Sequence, residues 1–153
     1  MISEKKKREV IEQLLLQNYN KYYRLACSYV HNDSDAGDIV QNGAYKAILH
    51  SHKLKNIRHA ETWLYRIMLN EVFANYRDRE SVSLEEVVYE QGKEDTYENV
   101  DLQKAINTLE KKDRAVIVLR YFEEMKLEEI AMVLEENLST VKSRLYRSMK
   151  KLR

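Results

Sequence analysis

The chain has 153 residues, 44% apolar and 33% charged, which allows one or two small domains with a buried core under a very polar surface. Its 26 Lys and Arg against 25 Asp and Glu leave a net charge of +1, so bulk charge names no partner, and the single cysteine, Cys27, excludes a disulfide scaffold or a cysteine zinc site and suits a reducing cytoplasm. With no proline and only three glycines there is almost no material for hairpin turns, and the chain is expected to be all-α and soluble.

In chain order, the basic start Lys5, Lys6, Lys7 and Arg8 leads into no sustained apolar run, so neither a signal region nor a membrane span of roughly 20 apolar residues is expected. Leu14, Leu15 and Leu16 place an apolar cluster on a first helix over residues 4–17. A second, over 19–30, carries Tyr19, Tyr22, Tyr23, Leu25, Ala26, Tyr29 and Val30. Asn32, Asp33 and Ser34 break and re-cap the chain, because their side chains accept the free N–H groups of a helix start. A third helix over 35–49 has Ile39, Val40, Ala44, Ala47 and Ile48 at core spacing. Residues 50–59 are polar and basic and read as a loop, followed by a long fourth helix over 60–79 with Trp63, Leu64, Ile67, Met68 and Val72 on its inner side. The second half predicts shorter helices over 100–110, 112–123, 127–135 and 138–152, spaced as in a compact helical domain.

The balanced charge is segregated. Residues 1–80 carry 13 basic and 10 acidic side chains, residues 81–101 one Lys against seven carboxylates, and residues 102–153 carry 12 basic and 8 acidic. The acidic stretch between two periodic halves predicts a linker, giving domains over 1–80 and 100–153 joined by residues 81–99.

The last two helices carry the most information. Leu127, Ile130, Ala131 and Leu134 form one stripe. Asn137 is a good N-cap for the final helix, where Leu138, Val141, Leu145, Met149 and Leu152 fall within about 80° of arc at roughly 100° per residue. Ser139, Ser143, Tyr146, Arg147 and Lys150 occupy the opposite face. From Asn137 to Arg153 there are six basic residues and no acid. A helix dipole accounts for cations at a helix C-terminus, but not for Lys142 and Arg144 in its first half, which point to an anionic partner. Such a pair is either an ordinary amphipathic hairpin or a helix-turn-helix whose second helix enters the DNA major groove. Glu135 and Glu136 stand where a helix-turn-helix favours a glycine and an apolar residue, so either Glu135 adopts a backbone geometry that suits glycine or the turn differs from the usual one.

An enzyme reading has little to stand on. Asp33-Ser-Asp-Ala-Gly-Asp38 hints at a calcium loop, but its glycine is one position early and Ala44 replaces the closing Glu. His50, His52 and His59 lack a carboxylate or cysteine at ligand spacing, and no nucleophile–base pair or phosphate-cradling loop is evident. No cofactor, metal or small-molecule substrate is expected.

Leu127-Glu-Glu-Ile-Ala131 followed by Ser139-Thr-Val-Lys-Ser-Arg-Leu-Tyr-Arg147 resembles region 4 of the bacterial RNA polymerase sigma factors of the extracytoplasmic function (ECF) group. Asp35-Ala-Gly-Asp-Ile-Val-Gln41, together with Thr62-Trp-Leu-Tyr-Arg-Ile67, Asn70, Tyr76 and Arg77, resembles their region 2. The resemblance implies a protein that binds core RNA polymerase, through its clamp by region 2 and its flap by region 4, directs it to promoters with −35 and −10 elements and assists their opening. It implies −35 contacts by Arg120, Ser139, Thr140, Lys142, Ser143, Arg144, Tyr146 and Arg147. For the −10 element it implies Lys53, Lys55, Asn56, Arg58 and His59 in the loop where the family captures a flipped base, with Arg66, Asn70 and Arg77 following the strand. It places polymerase contacts on Asp35, Asp38, Gln41 and Asn42, although the family usually has acids where this chain has Gly37 and Asn42. Trp63 could stack on a base, but its spacing with Ile67 predicts a core tryptophan. The resemblance further implies a cytoplasmic protein silenced by an anti-sigma factor, through which it can be held at the membrane without inserting there itself. The alternative on residues alone is a helix-turn-helix regulator that acts without polymerase.

Overall fold

Ser and Asn side chains set the starts of the first two helices. The computed structural model describes residues 2–76, 102 and 104–152, which fall into two compact units, Met1–Tyr76 and Arg77–Arg153. Ser3 Oγ accepts from Lys6 N at 3.1 Å at the start of α1 (Glu4–Val30), and Asn32 Oδ1 accepts from Asp35 N at 3.1 Å at the start of α2 (Asp33–Leu49). The two helices predicted over 4–30 run as one, bent at Asn18, whose φ −115° and ψ 16° leave helical geometry. The fourth predicted helix is α3 (Ala60–Asn75); it ends at Tyr76, whose φ −79° and ψ 114° are extended, short of the predicted end at residue 79, and residues 77–79 and the acidic linker lie outside the described residues. Residues Asp33 to Asp38 form the first turns of α2 rather than a loop.

The core of this unit is rich in tyrosine. Tyr22 meets Tyr65 edge-on at 5.1 Å, and Tyr29 meets Phe73 at 5.8 Å and Tyr76 at 5.4 Å, so that α1 grips α3 through aromatic edges. Ile11, Leu25, Ala26, Leu64, Met68, Leu69 and Val72 fill the remainder. Several predicted core positions differ. Leu16 is 79% exposed and Ile48 is 37% exposed, because the buried edge of α2 runs through Ala36, Ile39, Val40, Gly43 and Ala47. Trp63 and Ile67 lie half-buried at the flank, their core places taken by Leu64 and Tyr65. Gly43 has a structural purpose: a Cβ there would stand 2.5 Å from Met68 Sδ, so its absence lets α3 approach α2 closely. Alongside, buried Glu71 pairs with Lys46 at 2.5 Å and accepts from Asn75 Nδ2 at 2.9 Å.

The C-terminal unit contains helical residues 104–107, then α4 (Lys111–Ile117), which continues into a π-helical turn (Val118–Phe122), then α5 (Leu127–Leu134) and α6 (Leu138–Lys151). Residues Asp113 to Leu119 are all buried, and α6 packs on both α4 and α5. Ile130, Val133 and Leu134 form the buried edge of α5, with Leu127 and Ala131 half-buried. On α6 the inner side is Val141, Leu145 and Ser148. The Ser148 hydroxyl is buried with no hydrogen-bond partner. An unpartnered buried hydroxyl costs more than the methyl group that would replace it, and alanine is also the better helix former. Ser148→Ala should therefore raise stability by about 1 kcal/mol in urea denaturation followed by circular dichroism; an unchanged or lower midpoint would contradict this reading.

Candidate nucleic-acid interface

The turn between α5 and α6 departs from the usual sequence and keeps the usual geometry. Glu135 adopts φ 55°, ψ 44°, the left-handed conformation that favours glycine, and Glu136 N donates to Ala131 O at 3.0 Å to close the end of α5. At the other end of α5, Lys126 N donates to Glu129 Oε1 at 3.1 Å. A left-handed non-glycine residue is strained by roughly 1–2 kcal/mol, partly offset in a glycine variant by the greater freedom of its unfolded chain. Glu135→Gly is thus expected to stabilise the protein by about 0.5–1 kcal/mol. A lower melting temperature for that variant would show that the glutamate side chain contributes more than its backbone costs.

The outer face of α6 presents Ser139, Lys142, Ser143, Tyr146, Arg147 and Lys150, all exposed, with Tyr146 at 69% and Thr140 half-buried at the edge. This is a row of hydroxyls, one ring and three cations, suited to phosphate oxygens and base edges. Arg120 is exposed in the π-helical turn, and its Nη1 donates to Met125 O at 3.0 Å, which orients the guanidinium.

Arg144 requires a correction. Its place in the first half of a basic helix predicts an external anion, but its anions are internal. Nε and Nη2 donate to Glu136 Oε1 and Oε2 at 2.8 Å each, and Nη1 donates to Asp113 Oδ1 at 2.9 Å, leaving the side chain 14% exposed. Arg147 also donates to Asp113, from Nη2 to Oδ1 at 2.9 Å and from Nε to Oδ2 at 3.3 Å, yet its side chain stays 51% exposed. Lys112 adds a 3.5 Å contact to Glu136. Burial by itself would raise the Asp113 carboxyl, but the hydrogen bonds from Arg147 and Arg144 outweigh it and hold that group below its ordinary value. Glu136 is lowered chiefly by its hydrogen bond from Arg144, and Arg144 is correspondingly raised. Neither Asp113 nor Glu136 had a signal in local spacing: Asp113 lies 31 and 34 residues from the arginines it holds.

In the N-terminal unit, Asp35, Asp38, Gln41 and Asn42 are exposed on α2, with Tyr45 beside them at 67%. The expected loop at 50–59 contains two short 3-10 turns, Ser51–Lys53 and Ile57–His59, pinned by buried Leu54 and by Ser51 Oγ donating to Ile48 O at 2.9 Å. Lys53, Lys55, Asn56, Arg58 and His59 all project outward from it, with Asn56 Oδ1 accepting from Arg58 N at 3.0 Å. Asn70 is exposed on α3 and Arg66 half-buried, while Arg77 lies outside the described residues. Among the described residues no group of three or more His, Cys, Asp or Glu could hold a metal ion, and no helix is long and apolar enough to cross a membrane.

Comparison with known proteins agrees with this layout. The sigma-70 region 2 model matches residues 14–82, and the sigma-70 region 4 model matches residues 99–152. RNA polymerase sigma factor SigV of Bacillus subtilis is 36% identical, over 97% of this chain and 94% of that protein. ECF RNA polymerase sigma factor SigE of Mycolicibacterium smegmatis is 30% identical, over 93% of this chain and 60% of that one. Among solved structures, CnrH in complex with the cytosolic domain of CnrY matches with a TM-score of 0.72 at 27% identity, over 93% of this chain and 84% of that chain. With both regions present in order, the chain belongs to the ECF group of the sigma-70 family of RNA polymerase sigma factors.

Proposed function

We propose that this sigma factor binds core RNA polymerase, directs it to promoters with −35 and −10 elements and assists their opening. In this reading residues 1–80 act as region 2, with Asp35, Asp38, Gln41 and Asn42 on the polymerase clamp. Lys53, Lys55, Asn56, Arg58 and His59 take the −10 element, and Arg66, Asn70 and Arg77 follow the strand. Residues 81–99 form the acidic linker, and residues 100–153 act as region 4, on the polymerase flap and the −35 element. There Lys142, Ser143, Tyr146 and Arg147 read DNA from α6, joined by Ser139, Thr140 and Arg120, while Arg144 holds the helix in place.

The observation that carries this is the exposed face of α6, cationic and hydroxyl-bearing, on the second helix of a helix-turn-helix. A net charge of +1 supplies little non-specific attraction to DNA, so the protein alone should bind promoters weakly. Polymerase would hold both contacts at a fixed spacing and make the second effectively intramolecular. Opening needs no chemistry from the protein: a captured unstacked base offsets part of the few kcal/mol that separating a base step costs. The protein works as an initiation factor rather than a catalyst, in the cytoplasm. Because CnrH was solved with the cytosolic domain of CnrY, a partner protein that covers the DNA-binding faces is part of this reading.

The test is a gel-shift with promoter DNA, with and without core polymerase. A stable shift that requires both proteins supports the reading. Tight retardation by this protein alone, with no polymerase complex on gel filtration, would support a polymerase-independent regulator instead.

A further inference from the structure

Placing a buried carboxylate directly beneath a DNA-facing helix has an electrostatic cost, because it weakens the attraction of that face for phosphates. Asp113 stands there, its side chain 2% exposed, and accepts from both arginines of α6. The two are held differently. All three nitrogens of the Arg144 guanidinium donate to Asp113 or Glu136. Arg147 gives Nε and Nη2 to Asp113, while half of its side chain remains in solvent. One edge of its planar fork is therefore fixed against protein, and the rest is free to meet a ligand.

We propose that Asp113 is a positioning residue for promoter selectivity: it fixes the Arg147 guanidinium so that its free donors meet one base pair of the −35 element, with Arg144 as the strut beside it. The proposal rests on α6 being the −35-reading helix. The physical argument is one of freedom. An arginine on an unrestrained stem reaches any nearby phosphate and discriminates little, whereas a fork fixed at one edge meets base acceptors in one geometry. The carboxylate thus trades non-specific affinity for discrimination. That sets it apart from a residue that merely stabilises the fold, whose loss would weaken specific and non-specific binding together.

The experiment uses the full chain assembled with core polymerase. Initiation is measured on one promoter and on templates carrying each single −35 base change. Arg147→Ala should reduce discrimination at one base pair on the order of 10-fold. Asp113→Asn should reduce it at the same base pair by about 5-fold, with −10 discrimination unchanged and binding to non-promoter DNA equal or stronger. On an Arg147→Ala background, Asp113→Asn should add nothing, because the two act as one unit. Asp113→Glu keeps the charge and the carboxylate acceptors while moving the fork by one methylene, so it should lower the same discrimination by about 2-fold and gives a second readout beside the asparagine variant. Glu136→Gln weakens the contacts of Glu136 with Arg144 and Lys112 but leaves both Arg147–Asp113 hydrogen bonds in place, so it should lower discrimination at that base pair less than Asp113→Asn does.

Unchanged discrimination in both Asp113 variants, or losses that add in the double variant, would overturn the positioning role. If Arg147→Ala itself leaves −35 discrimination intact, the −35 reading of Arg147 fails, and the positioning role falls with it.

Discussion

Arg144→Ala is expected to destabilise the protein by about 3 kcal/mol, the low end for breaking a buried ion pair from one side. Among the described residues, the loss leaves Glu136 with the 3.5 Å contact to Lys112 and Asp113 with Arg147. Those residual partners keep the cost from rising further. The comparison that makes the point is Arg8, whose pair with Glu12 at 3.5 Å joins side chains 52% and 50% exposed; Arg8→Ala should cost less than about 0.5 kcal/mol. Urea denaturation followed by circular dichroism measures both, and amide exchange along α6 should accelerate only in the Arg144 variant.

The same cluster sets an acid limit. Asp113 and Glu136 both titrate below their ordinary values in the folded protein. Their contribution is fully present above the unfolded values, about 3.9 for Asp and 4.3 for Glu, and is lost as pH falls through the lower folded values. Stability should therefore drop below about pH 4 in the wild type and fall less steeply there in Arg144→Ala. A parallel pH dependence in the two proteins would show that the cluster contributes little.

The second large effect concerns transcription. Lys142 and Arg147 lie five residues apart on the exposed face of α6. A lysine acting on phosphate and an arginine acting on a base edge perform different work. Lys142→Ala should weaken binding similarly on all −35 sequences and reduce its salt dependence by about one phosphate contact. Arg147→Ala should instead lose preference at one base pair by about 1–3 kcal/mol. The double variant is expected to lose roughly 50-fold in initiation from −35-dependent promoters, measured by single-round run-off. Loss of both kinds of effect from either single variant would mean that the helix packing, rather than the contacts, had been disturbed.

Local chemistry explains why so much of the fold was legible. Asn32 caps α2 as its side chain predicts, and the polar Asn18, between two apolar clusters, marks the bend in α1. The outward face of α6 follows from 3.6-residue periodicity because that helix packs on one side only. Periodicity served less well where a helix is buried on more than one side. On α3, Tyr65, Leu69 and Glu71 are buried alongside Leu64 and Met68, so no narrow stripe exists to be read. Charge misled at Arg144, because a basic helix face looks the same whether its counter-ion is DNA or a carboxylate 31 residues away. The close approach at Gly43 was equally hidden. In the sequence that glycine is only a weak helix former, and its value depends on Met68 lying across from it.

Run-off transcription by bacterial core polymerase on a randomised-promoter library, with and without this protein, tests the central claim most directly. The account predicts initiation only in its presence, from templates sharing a −35 and a −10 element at fixed spacing. Substitutions at Lys142 and Arg147 should relax the −35 element, and substitutions in residues 53–59 the −10 element. Initiation that ignores template sequence, or none at all from a protein that binds promoter DNA tightly by itself, would contradict it.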